Sequence, residues 1–170
     1  MAWTTTNDRA GTGVPGVIYD VQLNDIGAIN SFRDPIYGEG QFIFLPGVAS
    51  LAAGDVVEFT TSAGVASPTG SVTRWAGGAL AGKPLAVSTV ANILTTNWSW
   101  YQLSGCGVIN ISGTVVAGDK AYWQATATVS STLVASKQMN NCVAVSANAV
   151  PAAGKATYNF YFPFAQGNIT

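Results

Sequence analysis

The 170-residue chain has no histidine, two cysteines, two methionines and only 9% charged residues. The charged share is well under half of the usual quarter. Each shortage excludes something. Without histidine, the commonest general base and the commonest metal ligand are both missing. Cys106 and Cys142 alone cannot complete a tetrahedral zinc site, and one pair is no disulfide framework. Both lie in apolar, strand-like stretches, so two buried thiols are expected rather than a bridge. Glu39 and Glu58 are the only glutamates, so a glycosidase-like carboxylate pair would have to join Glu39 to Glu58 or Asp55. No serine sits in a Gly-x-Ser-x-Gly elbow. Ser104-Gly105-Cys106-Gly107 matches no catalytic signature, and its glycines read as a strand bend or bulge. The glycines at 11–16 and 77–82 lack phosphate-loop spacing. The expectation is no catalytic residue, no cofactor, no metal and no enzyme activity.

The net charge is −1, and no Lys/Arg cluster tracks phosphates, which argues against a nucleic-acid partner. No apolar run is long enough to span a bilayer, so no membrane partner is expected either. The stretch Met1 to Arg9 lacks a basic segment followed by an apolar one, which predicts synthesis in a cytoplasm without a leader. So few charges leave a surface of Ser, Thr, Asn, Gln and backbone, weakly protected from association by repulsion. Such a surface is expected to be covered in the working state. The charges are also uneven. Residues 1–60 hold seven acids against two bases, −5, and residues 61–170 hold five bases against one acid, +4. An acidic front and a basic rear can dock head-to-tail between copies.

What the chain does have is Val, Thr, Ser, Gly and aromatics, the composition of strands and turns. Strand candidates fall at 17–23, 41–45, 55–60, 71–76, 84–90, 97–104, 106–112, 119–125, 127–130, 132–135, 141–147 and 155–162. Glycines and prolines punctuate them, and no helical stretch separates them as a parallel sheet would require. In 97–103, Trp98, Trp100 and Gln102 share one face and Ser99, Tyr101 and Leu103 the other. In 155–162, Ala156, Tyr158, Phe160 and Phe162 oppose Lys155, Thr157, Asn159 and Tyr161. The expected fold is all-β: a compact β-barrel or jelly-roll-like sandwich with an extended N-terminal arm. The arm is placed at residues 1–36, the body at 37–162 and a C-terminal tail at 163–170.

An internal repeat is visible. Ala53-Gly54-Asp55 and Ala117-Gly118-Asp119 each lead into a strand, an offset of 64. Ala86-Val87-Ser88 and Ala144-Val145-Ser146 each precede an aromatic strand, an offset of 58. Gly followed by Asp suits a tight turn, since Gly takes positive φ and Asp bonds nearby amides. Two similar β-units are the implied plan.

The five tryptophans and six tyrosines leave two readings open. Most such residues are core or interface. Alternatively Trp98, Trp100 and Tyr101, with Trp75 and Trp123 behind them, form a sugar-stacking platform. The chain would then be a carbohydrate-binding β module of a phage or bacterial surface protein.

Several stretches resemble the capsid decoration, or cement, proteins of tailed bacteriophages and prophages. They are Arg33-Asp34-Pro35-Ile36-Tyr37-Gly38-Glu39-Gly40-Gln41-Phe42-Ile43-Phe44-Leu45-Pro46-Gly47-Val48, Ala53-Gly54-Asp55-Val56-Val57, Trp100-Tyr101-Gln102 and Pro163-Phe164. The resemblance implies a small β-rich barrel or jelly roll bound at capsomer boundaries. It further implies a virion protein on the capsid's outer surface that stabilises contacts between capsomers. Its partners would be the major capsid protein and other copies of itself, as a dimer or trimer. The resemblance carries over no functional residue. Candidate capsid or inter-subunit contacts are Trp3, Arg9, Arg33, Asp34, Tyr37 and Phe164, in the arm, at the start of the body and in the tail.

Overall fold

A computed structural model describes residues 4–5, 13–61, 70–77, 82–92, 94–125, 127–147 and 151–166. It contains β1 (Thr4–Thr5), β2 (Ile29–Asp34), β3 (Gly38–Pro46), β4 (Val56–Thr61), β5 (Gly70–Arg74), β6 (Leu85–Ser88) and β7 (Trp98–Gln102). These are followed by β8 (Ser104–Asn110), β9 (Lys120–Ala125), β10 (Thr128–Ser130), β11 (Gln138–Ala144) and β12 (Lys155–Ala165). No helix occurs among the described residues. The protein is all-β, with two antiparallel sheets in the orders β1-β2-β3-β7-β6-β4-β5 and β10-β9-β11-β12-β8. The sheets do not close into the barrel that strand spacing alone allowed. In the second sheet one isolated bridge, Ile111 to Val129, joins the ends of the order without forming a ladder.

The run Phe42-Ile43-Phe44-Leu45 explains why β3 lies in the interior of its sheet, paired on both sides. Alternation sends Phe42 and Phe44 to one side and Ile43 and Leu45 to the other, and all four are buried. Phe32, Phe42, Phe44 and Trp100 form one cluster. Ile43, Leu45, Leu51, Val57, Phe59, Ala86, Tyr101 and Leu103 form a second on the opposite face. The largest cluster joins Val56, Trp75, Leu85 and Val87 of the first sheet to Ile109, Ala121, Met139, Cys142 and Tyr158 of the second.

Sheet pairing begins inside the stretch expected to be an arm. β2 pairs with β3 from Ile29 opposite Ile43 to Asp34 opposite Gly38. Phe32 is wholly buried, edge-on to Phe42 and Trp100 at centroid distances of 5.4 and 5.1 Å. The Asp34-Pro35-Ile36-Tyr37 turn makes this hairpin. Asp34 Oδ1 accepts the amides of Ile36 at 2.7 Å and Tyr37 at 3.0 Å. Upstream, Tyr19 and Trp98 exchange two backbone bonds of 2.9 Å, so this segment also lies on the first sheet.

The repeat seen in the sequence is a duplication of five strands. Read from β3, the first sheet runs β3-β7-β6-β4-β5. Read from β8, the second runs β8-β12-β11-β9-β10. Numbered within each unit, both orders are first, fifth, fourth, second, third. The turns agree atom by atom. Gly54 and Gly118 have φ of 92° and 94°. Asp55 Oδ2 accepts from Ala52 N, and Asp119 Oδ2 from Val116 N, both at 2.9 Å. Gly54 N donates to Ser88 O at 2.7 Å and Gly118 N to Ala144 O at 2.8 Å. Ser88 N returns a bond to Asp55 O at 2.9 Å, as Ala144 N does to Asp119 O at 2.8 Å. These bonds equate Ser88 with Ala144, so the second offset is 144 minus 88, or 56, rather than 58. A slip of two residues leaves every side chain on its original face, which is why the apolar pattern did not reveal it.

Candidate functional site

The sequence-derived positions fall into three groups. Trp3 and Arg9 lie outside the described residues. Asp34 is turned inward and only 1% exposed, where it holds the β2–β3 turn, so it is a structural cap and not a surface contact. Arg33 is exposed on β2 opposite Glu39, Tyr37 is half-buried against the Phe32–Trp100 cluster, and Phe164 is 37% exposed near the end of β12. Burial, more than the nearby Cys106 and Asp34, pushes the Tyr37 phenol above its usual range.

The sugar platform does not form. Trp100 and Tyr101 are buried, and as neighbours in one strand they face opposite sides of the sheet. Trp100 packs edge-on against Phe32 and Phe44. Tyr101 donates its hydroxyl to Pro46 O at 2.9 Å, and burial holds its phenol far above the ordinary value. Trp98 is half-buried against the same aromatic cluster as Trp100. Trp75 is buried, and Trp123 donates Nε1 to the Trp75 carbonyl at 3.2 Å with the Lys137 ammonium 4.0 Å from its ring centroid. Trp100 and Tyr101 of β7 are internal framework.

Of the candidate acids, Asp55 and Glu58 are likewise engaged. The Asp55 carboxylate accepts the Ala52 amide, Arg74 Nε at 3.1 Å and Asn110 Nδ2 at 2.9 Å, and pairs with Arg74 Nη2 at 3.1 Å. Glu58 accepts from Thr73 at 3.1 Å. No group of three or more Cys, Asp or Glu among the described residues converges on a metal-sized site. Both cysteines are free: Cys142 is buried and Cys106 half-buried, where two buried thiols were expected. Burial pushes both thiols above their ordinary value.

Compared with protein-family models, curated proteins and solved structures, the chain matches none of them.

The surface is where the molecule departs from an ordinary globular domain. Val17, Ile18, Val21, Leu23 and Ile36 are exposed along the N-terminal segment, Ile36 to 80%. Tyr161, Phe162 and Phe164 are exposed in succession on β12. Phe162 sits at φ 45°, a left-handed conformation rare for an aromatic residue, which breaks the alternation predicted for 155–162 and turns its ring outward. Two depressions accompany these side chains. An apolar groove of about 370 Å³ is lined by Ile29, Ile43, Phe59, Leu103, Phe162 and Phe164, among others. A shallower one of about 520 Å³ lies on the second sheet, with Lys120, Gln138, Val143, Val145, Asn159 and Tyr161 in its lining. The sequence signal for these surfaces was the scarcity of charge. Which apolar residues face outward depended on tertiary packing.

Proposed function

We propose that the protein is a structural component of a bacteriophage virion. It binds the outer surface of the capsid, bridges neighbouring copies of the major capsid protein and performs no catalysis. The observation that carries this reading is the exposure of Val17, Ile18, Val21 and Leu23 close together in the N-terminal segment, and of Ile36 at 80% in the β2–β3 turn, in a chain with 9% charge. Monomeric soluble proteins rarely leave large apolar patches uncovered, and patches that persist mark interaction surfaces. The duplicated β framework supports the same reading, because a rigid body of two sheets in a sandwich holds such a stretch in one shape. Many modest contacts, multiplied over a symmetric shell, give strong net attachment.

Heads assembled without the protein provide the test. Purified protein added back should bind them to saturation and raise the temperature at which they release DNA. The double variant Val21→Asp/Ile36→Asp, altered only at exposed positions, should keep its own melting temperature and lose at least tenfold in binding. Equal binding by the variant, or no binding by the unaltered protein, would overturn the proposal.

A further inference from the structure

The second unit departs from the shared strand plan at one place. In the first unit, β4 pairs with β6 in unbroken register from Val56–Val87 to Glu58–Leu85. In the second, β9 and β11 start at the equivalent pair, Lys120–Val143, but the next pair is Ala121–Met139. Unbroken register would put Cys142 there, so β11 carries three extra residues, 142 minus 139. On its other edge, the pairs Cys142–Phe160 and Asn140–Phe164 set two steps of β11 against four of β12. Asn141 and Phe162 lie inside these bulges, with φ of 57° and 45°. Bulges re-aim side chains, and backbone strain of this kind gathers at functional sites.

The shallow depression of about 520 Å³ lies at these bulges, lined by Lys120, Gln138, Asn141 and Asn159. None of these four side chains makes a hydrogen bond or ion pair among the described residues. Gln102, the first unit's equivalent of Asn159, instead spends its amide on the carbonyls of Ser104 at 3.1 Å and Cys106 at 3.0 Å. Each free amide offers two donors and an acceptor. Beside them stands Tyr161, 68% exposed, with the Phe162 ring edge-on to it at a centroid distance of 5.0 Å. Among the described residues no acid lines the depression. Residues 104–166 carry three lysines against the one acid Asp119, +2, and the Asp119 carboxylate accepts the Val116 amide.

We infer that this depression is a saccharide site that takes a sugar residue bearing a carboxylate. A sugar's hydroxyls donate and accept, as the amides do, and its C–H face suits the open ring of Tyr161. A purely apolar ligand would desolvate the amides and leave them unpaired, at a cost. Lys120 is the one charged group in the lining, and a carboxylate is its complement. An aromatic wall with a few convergent polar groups is the usual make-up of a small-ligand site. The inference does not rest on capsid binding, and it is tested with the isolated protein.

The protein is applied to an array of defined oligosaccharides ending in neutral hexose, N-acetylhexosamine, hexuronate or sialic acid. Carboxylate-bearing members should bind and neutral ones should not. Calorimetry with the best-bound saccharide then compares variants at exposed positions. Tyr161→Ala should lose about tenfold or more in affinity. Asn141→Gly suits the left-handed backbone while removing the amide, and should lose about fivefold. Lys120→Gln should erase the preference for the carboxylate. All three should keep the unaltered melting temperature, and Asn159→Ala replaces any that fails to fold. Val21→Asp/Ile36→Asp should keep full saccharide binding, so this inference and the capsid reading fail separately. An array with no bound saccharide, equal binding of neutral and acidic members, or undiminished binding by Tyr161→Ala or Asn141→Gly overturns the inference. Loss of self-association or of head binding in Tyr161→Ala, in place of saccharide binding, assigns the face to a protein and overturns it as well.

Discussion

The two five-stranded units share a strand order and the hydrogen bonds of their entry turns, yet they are finished differently. In the first, the turn aspartate Asp55 is buried and also binds Arg74 and Asn110. In the second, Asp119 caps its turn half-exposed. In the first, buried Tyr101 gives its hydroxyl to Pro46 O. In the second, the equivalent Tyr158 is buried with no partner for its hydroxyl among the described residues. The first unit is sheathed by residues 13–34 on one side and by the second unit on another. The second unit keeps its outer row open. One backbone plan thus serves as a packed hub in one place and presents an exposed row in another. The difference lies in side chains such as Val87 and Val143, 1% and 43% exposed.

The largest contrast is expected at the turn aspartates. Asp55→Ala removes the partner of the 28% exposed Arg74 side chain and of the Asn110 amide and should cost about 2–3 kcal/mol in urea unfolding. Asp119→Ala loses a single cap bond and should cost about 1 kcal/mol. Equal losses would break the comparison. The outer rows come next. Val87→Ala should cost about 2 kcal/mol of burial, while Val143→Ala should stay within about 0.5 kcal/mol in dilute protein, as exposed substitutions do.

Alkaline pH sharpens the contrast further. Cys142, Tyr158 and Tyr101 are buried in the neutral form, and burial raises all three above ordinary values of 9.0, 10.0 and 10.0. The unfolded chain releases these protons first. Stability is therefore complete below pH 9 and falls as pH rises above it, by about 1.4 kcal/mol per pH unit for each group engaged. Cys142→Ala should reduce the loss of stability between pH 9 and pH 10 in denaturant titrations, leaving half-buried Cys106 as the one raised thiol, and an unchanged loss would show that the Cys142 thiol is not sequestered. The smallest effect is at the tyrosine hydroxyls. Tyr101→Phe should cost about 1 kcal/mol, and Tyr158→Phe should be neutral or slightly stabilising, because it removes an unpaired buried hydroxyl.

Much of the frame was legible because it rests on local chemistry. The Gly-Asp turns, the apolar run of β3 and the alternation of 97–103 each encode their own strand. What escaped was set by packing between distant segments. β2 has the mixed sequence Ile-Asn-Ser-Phe-Arg-Asp, with one large buried side chain, and reads as connector until Phe32 meets Phe42 and Trp100. The candidate at 17–23 shrinks to a bridge at Tyr19, and that at 132–135 forms no strand. The platform failed for a related reason. Trp98, Trp100 and Tyr101 look alike in composition, but only what covers a sheet face decides whether an aromatic is core or surface. Asp34 looked like a surface contact, although its position just before Pro35 is that of a turn-capping residue.

The most direct test of the capsid reading is density-gradient sedimentation of particles from a lysate containing the protein, with this chain quantified in each fraction. Migration with DNA-filled heads in a fixed ratio to the major capsid protein is the predicted result. Recovery of the chain only at the top of the gradient, with heads that carry none of it, would contradict it.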